Sequence, residues 1–404
     1  MNRFNAILVH YFQLTKLLIA RGLACFCKAD DTWLIAEKTN EARDNGYWFA
    51  KFMCTYHAER KICFVISEKS VDYSKIKELR SCKIVKPNSW SHKVLFWAAK
   101  YNVVSQPPCD YFSGLRKLLG LRRKKQINVF LQHGITKDDL DHSLDVEKSG
   151  IDIFITSVER ERQAIMQRHN YSESQCVLTG LCRFDNLIRK SRQSRQILIM
   201  PTFRHWIMCS NKNGVPSEEE ISRFKKDEFF RRYASLLKSP KLYKVLEQYN
   251  YQIIFYPHYC VQPFLETFKQ EVDSNKVILA SNKKYDVQTL LLEADILVTD
   301  YSSVFFDFAY LKKPEVFFQF DADRFREGHY QEGYFSYDKD GFGPVVSSED
   351  EVISYISTLL VNDCRMEEAY CMRVKDFFRY IDQDNCRRTY GAIMDYDKNR
   401  NLKL

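Results

Sequence analysis

The segment ADILVTDYSSVFFDFAYLKKP at 294–314 constrains the fold most, because an apolar run of strand length stops at small hydroxyl residues and resumes with helical spacing. Ile296, Leu297 and Val298 predict a strand buried on both faces, Asp300 to Ser303 a turn, and Phe305, Phe306, Phe308, Ala309 and Leu311 the buried side of the next helix. Ser302 or Ser303 is the expected N-cap. Free N–H groups at a helix start, with two hydroxyls beside them, suit a phosphate, and open α/β sheets bind ligands at the carboxyl ends of their strands. A capped core helix with no ligand fits the same residues.

Three further strand-like runs end in polar groups. INVFLQHG at 127–134 places His133 at a strand end with Gly134 behind it to free the backbone. IIFYPHY at 253–259 repeats the pattern with His258, and ILIMPTFR at 197–204 does so with Thr202 and Arg204. A lone histidine after a strand is usually an ordinary surface or core residue. Two at equivalent strand ends, joined by the hydroxyl turn at 300–303, point to a ligand edge.

Strand-like runs at 33–36, 61–66, 83–85, 103–104, 127–131 and 151–156 alternate with helical stretches such as 42–54 and 158–168. After a polar stretch the alternation restarts at 196–200, 252–256, 277–280, 296–299 and 316–319, with charged helices at 218–238 and 241–249. At 404 residues the chain exceeds what one core usually supports. The reading is α/β, with two doubly wound, Rossmann-like domains facing a cleft and a helical tail. A helical segment at 1–30, open to a membrane-interfacial role, precedes a first domain at 31–192 and a second at 193–404. The tail at 350–390 closes the second domain, its last helix free to cross to the first.

At these residues the chain resembles the CDP-glycerol glycerophosphotransferases of teichoic-acid and capsule synthesis. The matching stretches are EKTNEARDNG at 37–46, QHGITKDD at 132–139, TGLCRFD at 179–185, PTFR at 201–204, PHY at 257–259 and TDYSS at 299–303. They run in the family's order over most of the chain. Cys182 stands where proline is usual and Phe203 where tryptophan is common. The resemblance implies the two-domain architecture called GT-B. It also implies transfer of glycerol phosphate from CDP-glycerol to a polyprenyl-linked or polymeric acceptor, with release of CMP. CDP-ribitol or a nucleotide-sugar is the alternative donor, and a noncatalytic envelope-assembly scaffold the alternative outside enzymes.

Such a transfer needs a base, donors for a diphosphate and relief of charge on the leaving nucleotide. His133 is the expected base, since imidazole titrates near neutrality. Asp138 or Asp139 would orient it, with Gly134 and Arg183 supporting the acceptor side. Thr202, Asp300, Tyr301, Ser302 and Ser303 are expected to hold the donor, and Arg204 or His258 to meet the leaving charge. Asp321 and Asp323 fit a DxD spacing but follow a Phe-rich strand, so they read as a solvated turn. No cofactor and no metal are expected.

Lys and Arg exceed Asp and Glu by nine, 61 against 52. LRKLLGLRRKK at 115–125 gathers Arg116, Lys117, Arg122, Arg123, Lys124 and Lys125 among leucines. It reads as an anionic-membrane contact or a solvated loop. No stacking platform accompanies it, so nucleic acid is not an expected partner. The thirteen cysteines lack zinc spacing and read as thiols in a reducing compartment. Without an apolar run of transmembrane length or a signal peptide, a peripheral place on the cytosolic membrane face is expected. Homo-oligomerisation is left open.

Overall fold

The computed structural model describes residues 3–29, 31–107, 112, 118, 120–123, 125–139, 142–188, 194–207, 209, 214–273, 275–328 and 331–402, with side chains of the first helix from Tyr11 onward. The chain divides into two compact units. The first comprises residues 1–135, 140–186 and 379–404, and the second 136–139 and 187–378.

The first unit is built on seven parallel strands: β1 (Thr32–Ala36), β2 (Lys61–Val65), β3 (Cys82–Val85), β4 (Tyr101–Val104), β5 (Ile127–Phe130), β6 (Ile153–Thr156) and β7 (Cys176–Leu178). Their spatial order is β3-β2-β1-β4-β5-β6-β7. The second unit has six: β8 (Gln196–Met200), β9 (Gln252–Phe255), β10 (Val277–Leu279), β11 (Ile296–Thr299), β12 (Glu315–Phe318) and β13 (Val345–Val346). Here the order is β10-β9-β8-β11-β12-β13, again parallel throughout. Both sheets are doubly wound, and each reverses its strand order at a switch point, between β1 and β4 in one and between β8 and β11 in the other.

Apolar strand residues make these sheets because both faces are covered. In the first unit, Leu34, Val104, Phe130 and Phe154 pack on one side with Leu17, Ala20 and Ala24 of the first helix (Arg3–Ala24). Trp33, Ile35, Val103 and Val129 pack on the other with Phe49 of helix Asn45–Tyr56 and Ile393 of helix Asn385–Asn401. In the second unit, Ile197, Ile253, Val298 and Val316 join Phe229, Tyr233 and Phe268 in one core. The opposite face is aromatic, with Phe305 set edge-on against Phe317 at 5.1 Å between ring centres.

Glu315 opens β12 and, by strand alternation, shares that aromatic face with Phe317. It is 1% exposed, and neither carboxyl oxygen has a hydrogen-bond partner among the described residues. Gly343 lies directly behind it, where a Cβ would come within 1.9 Å of the Glu315 carbonyl oxygen.

The expected helix at 218–238 is two helices, Glu218–Lys226 and Glu228–Leu237. Asp227 ends the first in an extended conformation and caps the second by accepting from Phe229 N–H at 3.0 Å. The tail also divides. Helices Glu349–Val361 and Glu368–Phe377 stay with the second unit, whereas 379–404 belongs to the first. There Asp397 accepts from Lys100 at 2.5 Å and from the Tyr101 hydroxyl at 2.8 Å.

Candidate functional site

In the first unit the chemistry gathers where β5 ends. Gln132 has a φ of +61°, which a residue with a Cβ adopts only when its surroundings impose it. Its side-chain amide donates to the Ile155 carbonyl at 2.7 Å and to Glu161 at 3.0 Å. Its own carbonyl accepts from Asn45 Nδ2 at 2.8 Å, and Asn45 Oδ1 in turn accepts from the Arg183 main chain at 3.0 Å. This fixed turn presents His133, with Gly134 buried next to it. The Arg183 guanidinium then ties the turn down by donating to the His133 carbonyl at 2.9 Å and to Asp44 at 2.8 Å.

The His133 side chain reaches solvent, but surrounding protein displaces bulk water and lowers its pKa. Arg183 and Lys38 lower it further, while Asp44 and a hydrogen bond to the Ser105 main chain act the other way. With one ring nitrogen engaged by Ser105, a neutral imidazole keeps its other nitrogen for a proton. Nearby, buried Glu37 directly follows β1 and accepts from the N–H groups of Arg43, Asp44 and Tyr47 at 2.9, 3.0 and 2.6 Å. Burial, with Asp44 adding, pushes its pKa up to about 8.

The expected orienting carboxylates lie elsewhere. Residues 136–139 pack within the second unit, where Asp138 pairs with Lys137 and accepts from Arg326 at 2.7 Å, and Asp139 N–H donates to the Gln331 carbonyl at 3.1 Å. The carboxylate acting on His133 is Asp44, which sits in the early family-like loop and had no assigned part. Lys137 was missed as well. It is 4% exposed over the Tyr337 ring, and burial lowers its pKa.

In the second unit the ends of β8, β11 and β12 converge on a buried charge cluster. Arg204 is fully buried, with Nη2 3.0 Å from Asp300 and paired donations to Asp321 at 2.8 and 3.0 Å. Burial alone would disfavour its charge, but Asp300 and Asp321 outweigh that, and its pKa is raised. The guanidinium also lies over Tyr301 and Phe325, which stack at 3.8 Å. The expectation that Arg204 meets the leaving nucleotide is therefore corrected, because its donors are engaged inside the protein. Asp321 is not in a solvated turn but 7% exposed, and it completes this ion cluster. The signal that could have found it is the one used elsewhere, a polar residue just past an apolar strand.

Asp300 shapes the loop around it by accepting from Thr202 N–H at 2.8 Å and Tyr301 N–H at 2.6 Å. What remains partly exposed is Ser302, Ser303 and His258, with Thr202 buried beside them. The Thr202 hydroxyl is buried and has no hydrogen-bond partner among the described residues. Ser303 is the N-cap residue of helix Val304–Tyr310 but makes no side-chain cap bond, and Ser302 Oγ accepts only a long 3.4 Å bond from Val304 N–H. Both serines are partly exposed. His258 stacks on Phe203 at 4.6 Å, and its Nδ1 accepts from Cys260 N–H at 3.3 Å, so a neutral ring carries its proton on Nε2.

Of the basic segment, Arg116, Lys117 and Lys124 lie outside the described residues. Arg122 makes a two-pronged pair with Asp152 at 2.9 Å, and Arg123 donates to the Ala98 carbonyl at 3.1 Å. Those two cations hold the first unit together instead of standing free for lipid, and of the described ones Lys125 is exposed. Among the described residues no group of His, Cys, Asp and Glu could hold a metal ion.

A profile of CDP-glycerol:poly(glycerophosphate) glycerophosphotransferases matches residues 17–395. The minor teichoic acid biosynthesis protein GgaB of Bacillus subtilis (strain 168) is 30% identical over 379 residues, 92% of this chain and 40% of GgaB. The chain thus spans well under half the length of that relative. A teichoic acid poly(ribitol-phosphate) polymerase of Bacillus spizizenii is 34% identical over 112 residues, 27% of this chain and 16% of that one. The solved structure of the wall teichoic acid polymerase TagF superposes with a TM-score of 0.67 at 18% identity, covering 100% of both chains. It shares the two doubly wound α/β sheets of the GT-B type. The profile match over nearly the whole chain places this protein in the CDP-glycerol:poly(glycerophosphate) glycerophosphotransferase family.

Proposed function

We propose that the chain transfers glycerol phosphate from CDP-glycerol to a lipid-linked or polymeric acceptor in the synthesis of a teichoic-acid-like or capsular polymer. The observation that carries this reading is His133, fixed on a strained strand end with one ring nitrogen engaged and its pKa lowered. A base of that kind is neutral at physiological pH and able to accept the acceptor hydroxyl's proton. The freed oxygen attacks the phosphorus that bears glycerol, the bond from that phosphorus to the bridging oxygen breaks, and CMP leaves with the electron pair.

The second unit's strand ends hold the donor in this reading. Thr202, Ser302 and Ser303 supply hydroxyls for the diphosphate, and Nε2–H of His258 meets the charge that grows on the leaving phosphate. Arg204, Asp300, Asp321 and Tyr301 are positioning residues that keep those loops in place. Phosphoryl transfer is mainly positioning and electrostatics, and a set of hydroxyl and imidazole donors suits it.

CDP-ribitol is the second reading, supported by the kinship with a poly(ribitol-phosphate) polymerase. Turnover of purified protein with CDP-glycerol and CDP-ribitol separates the two. His133→Ala should fall at least about 100-fold in turnover with donor affinity retained. A variant keeping more than about a tenth of the wild-type rate would remove the base from this mechanism.

A further inference from the structure

A helix leaves its first N–H groups without partners, and at the switch point of a doubly wound sheet those groups ordinarily face a ligand phosphate. In the first unit the helix so placed is Asn45–Tyr56, and the switch point lies between β1 and β4. Here the chain has used the N–H groups itself. Glu37, directly after β1, accepts from Arg43, Asp44 and Tyr47 at 2.9, 3.0 and 2.6 Å. Asp44 Oδ1 accepts from Asn45 N–H at 2.8 Å, and Ser105, directly after β4, accepts from Gly46 N–H at 3.0 Å. Every main-chain N–H from Arg43 to Tyr47 therefore has an acceptor within the protein.

The space around Glu37 is shaped to it. The residue is 3% exposed, and Gly46 makes room for its side chain. A Cβ at Gly46 would lie 2.8 Å from Glu37 Cγ, 3.2 Å from its Oε1 and 3.3 Å from the Ala36 carbonyl oxygen. Glycine is a poorer helix former than alanine, so its place in this first turn is explained by the carboxyl behind it.

What fills this cradle matters to the base. Asp44 accepts from the Arg183 guanidinium, which also holds the His133 carbonyl, and Asn45 Nδ2 holds the Gln132 carbonyl. A phosphate in the cradle would add its charge to that of Asp44 and favour the protonated imidazole, the wrong form for a base. A carboxyl meets the same N–H groups with no more than one charge, and burial works against even that one.

We propose that Glu37 is a resident stand-in for phosphate, whose carboxyl occupies the anion cradle of the first unit and keeps phosphate groups away from the strand ends beside His133. The acceptor terminus that reaches His133 is then an uncharged hydroxyl. That consequence rests on the transfer reading above, whereas the occupancy does not, and the test of it contains no donor.

The probe is inorganic phosphate, titrated against chloride at equal ionic strength into the full chain as wild type, Glu37→Ala and Glu37→Gln. Alanine leaves the N–H groups of Arg43, Asp44 and Tyr47 facing a carboxyl-sized space, whereas glutamine keeps that space filled. Glu37→Ala should gain a phosphate site seen by phosphorus nuclear magnetic resonance, and its thermal midpoint should rise with phosphate. At ten times the dissociation constant the folding equilibrium should increase about tenfold. Wild type and Glu37→Gln should lack this response, and any phosphate taken by the second unit is common to all three and cancels. If Glu37→Ala does not fold in chloride, refolding in phosphate should recover it. An alanine variant that responds as wild type does, or that phosphate fails to recover, overturns the proposal. So does a glutamine variant that gains the site, because occupancy would then not be what excludes the anion. Gly46→Ala should lower the thermal midpoint although alanine is the better helix former, and a higher midpoint would overturn the proposal too.

Discussion

Replacing Glu315 with Gln should stabilise the second unit, and by an amount that grows with pH. The carboxyl is 1% exposed beside an aromatic cluster, with no hydrogen-bond partner for either oxygen among the described residues. Burial alone raises its pKa well above the ordinary 4.5. Below about pH 4.5 the folded and unfolded chains both hold the proton, and the group contributes no pH dependence. Above that, the unfolded chain releases the proton and the folded chain keeps it, so folding takes up one proton. Stability must then fall by about 1.4 kcal/mol per pH unit until the raised pKa is reached. The wild type therefore loses stability as pH rises from 5.5 towards the raised pKa. Gln has nearly the same shape and cannot ionise, so the loss is absent in the variant. Urea unfolding followed by near-ultraviolet circular dichroism at pH 5.5, 6.5 and 7.5 reads this out. A chain of two units unfolds in more than one step, so the same transition is compared between the two proteins. The advantage of Gln should widen as pH rises from 5.5. A difference that stays constant with pH would show that Glu315 is ionised and satisfied in the folded state, and the reasoning would fail.

Arg204→Met should destabilise the second unit by about 3–5 kcal/mol, because Asp300 and Asp321 are left buried without their counter-charge. Ser302→Ala and Ser303→Ala should instead leave the thermal midpoint within about 2 °C while weakening CDP-glycerol binding in calorimetric titration; unchanged affinity in both would place the diphosphate elsewhere. Asp44→Asn removes the charge that raises the His133 pKa while keeping a side chain able to cap Asn45, so the acidic limb of kcat/KM should move to lower pH. A limb that stays put or moves up would mean that Asp44 does not act on the base.

The sheet strands were legible because parallel strands buried on both faces read as unbroken apolar runs, as at 127–131 and 296–299. Two strands carried too little signal. β7 is three residues, Cys176–Leu178, and β13 is two, Val345–Val346, and both are recognisable only by what they pair with. Strand-end residues were legible as candidates, but their partners were not. Arg204 and Asp321 are 117 positions apart, and nothing local shows that the guanidinium faces inward to a carboxylate. Nearness in sequence points to Asp138 or Asp139 as the partner of His133, yet Asp138 pairs with Lys137 and Arg326, while the carboxylate acting on the imidazole is Asp44 from a loop some ninety positions earlier.

The placement of residues 379–404 sets an order of events during synthesis. Helix Asn385–Asn401 supplies Ile393 to the core on one side of the first sheet and Asp397 to the Lys100 and Tyr101 side chains. Those partners leave the ribosome nearly three hundred residues before Asp397 does. Until then, Trp33, Tyr101 and Ile127 stand on a sheet face that lacks part of its cover, through the whole translation of the second unit. A ribosome stalled near residue 378, or a protease cutting there, would leave a chain whose earliest-made sheet is the unfinished one.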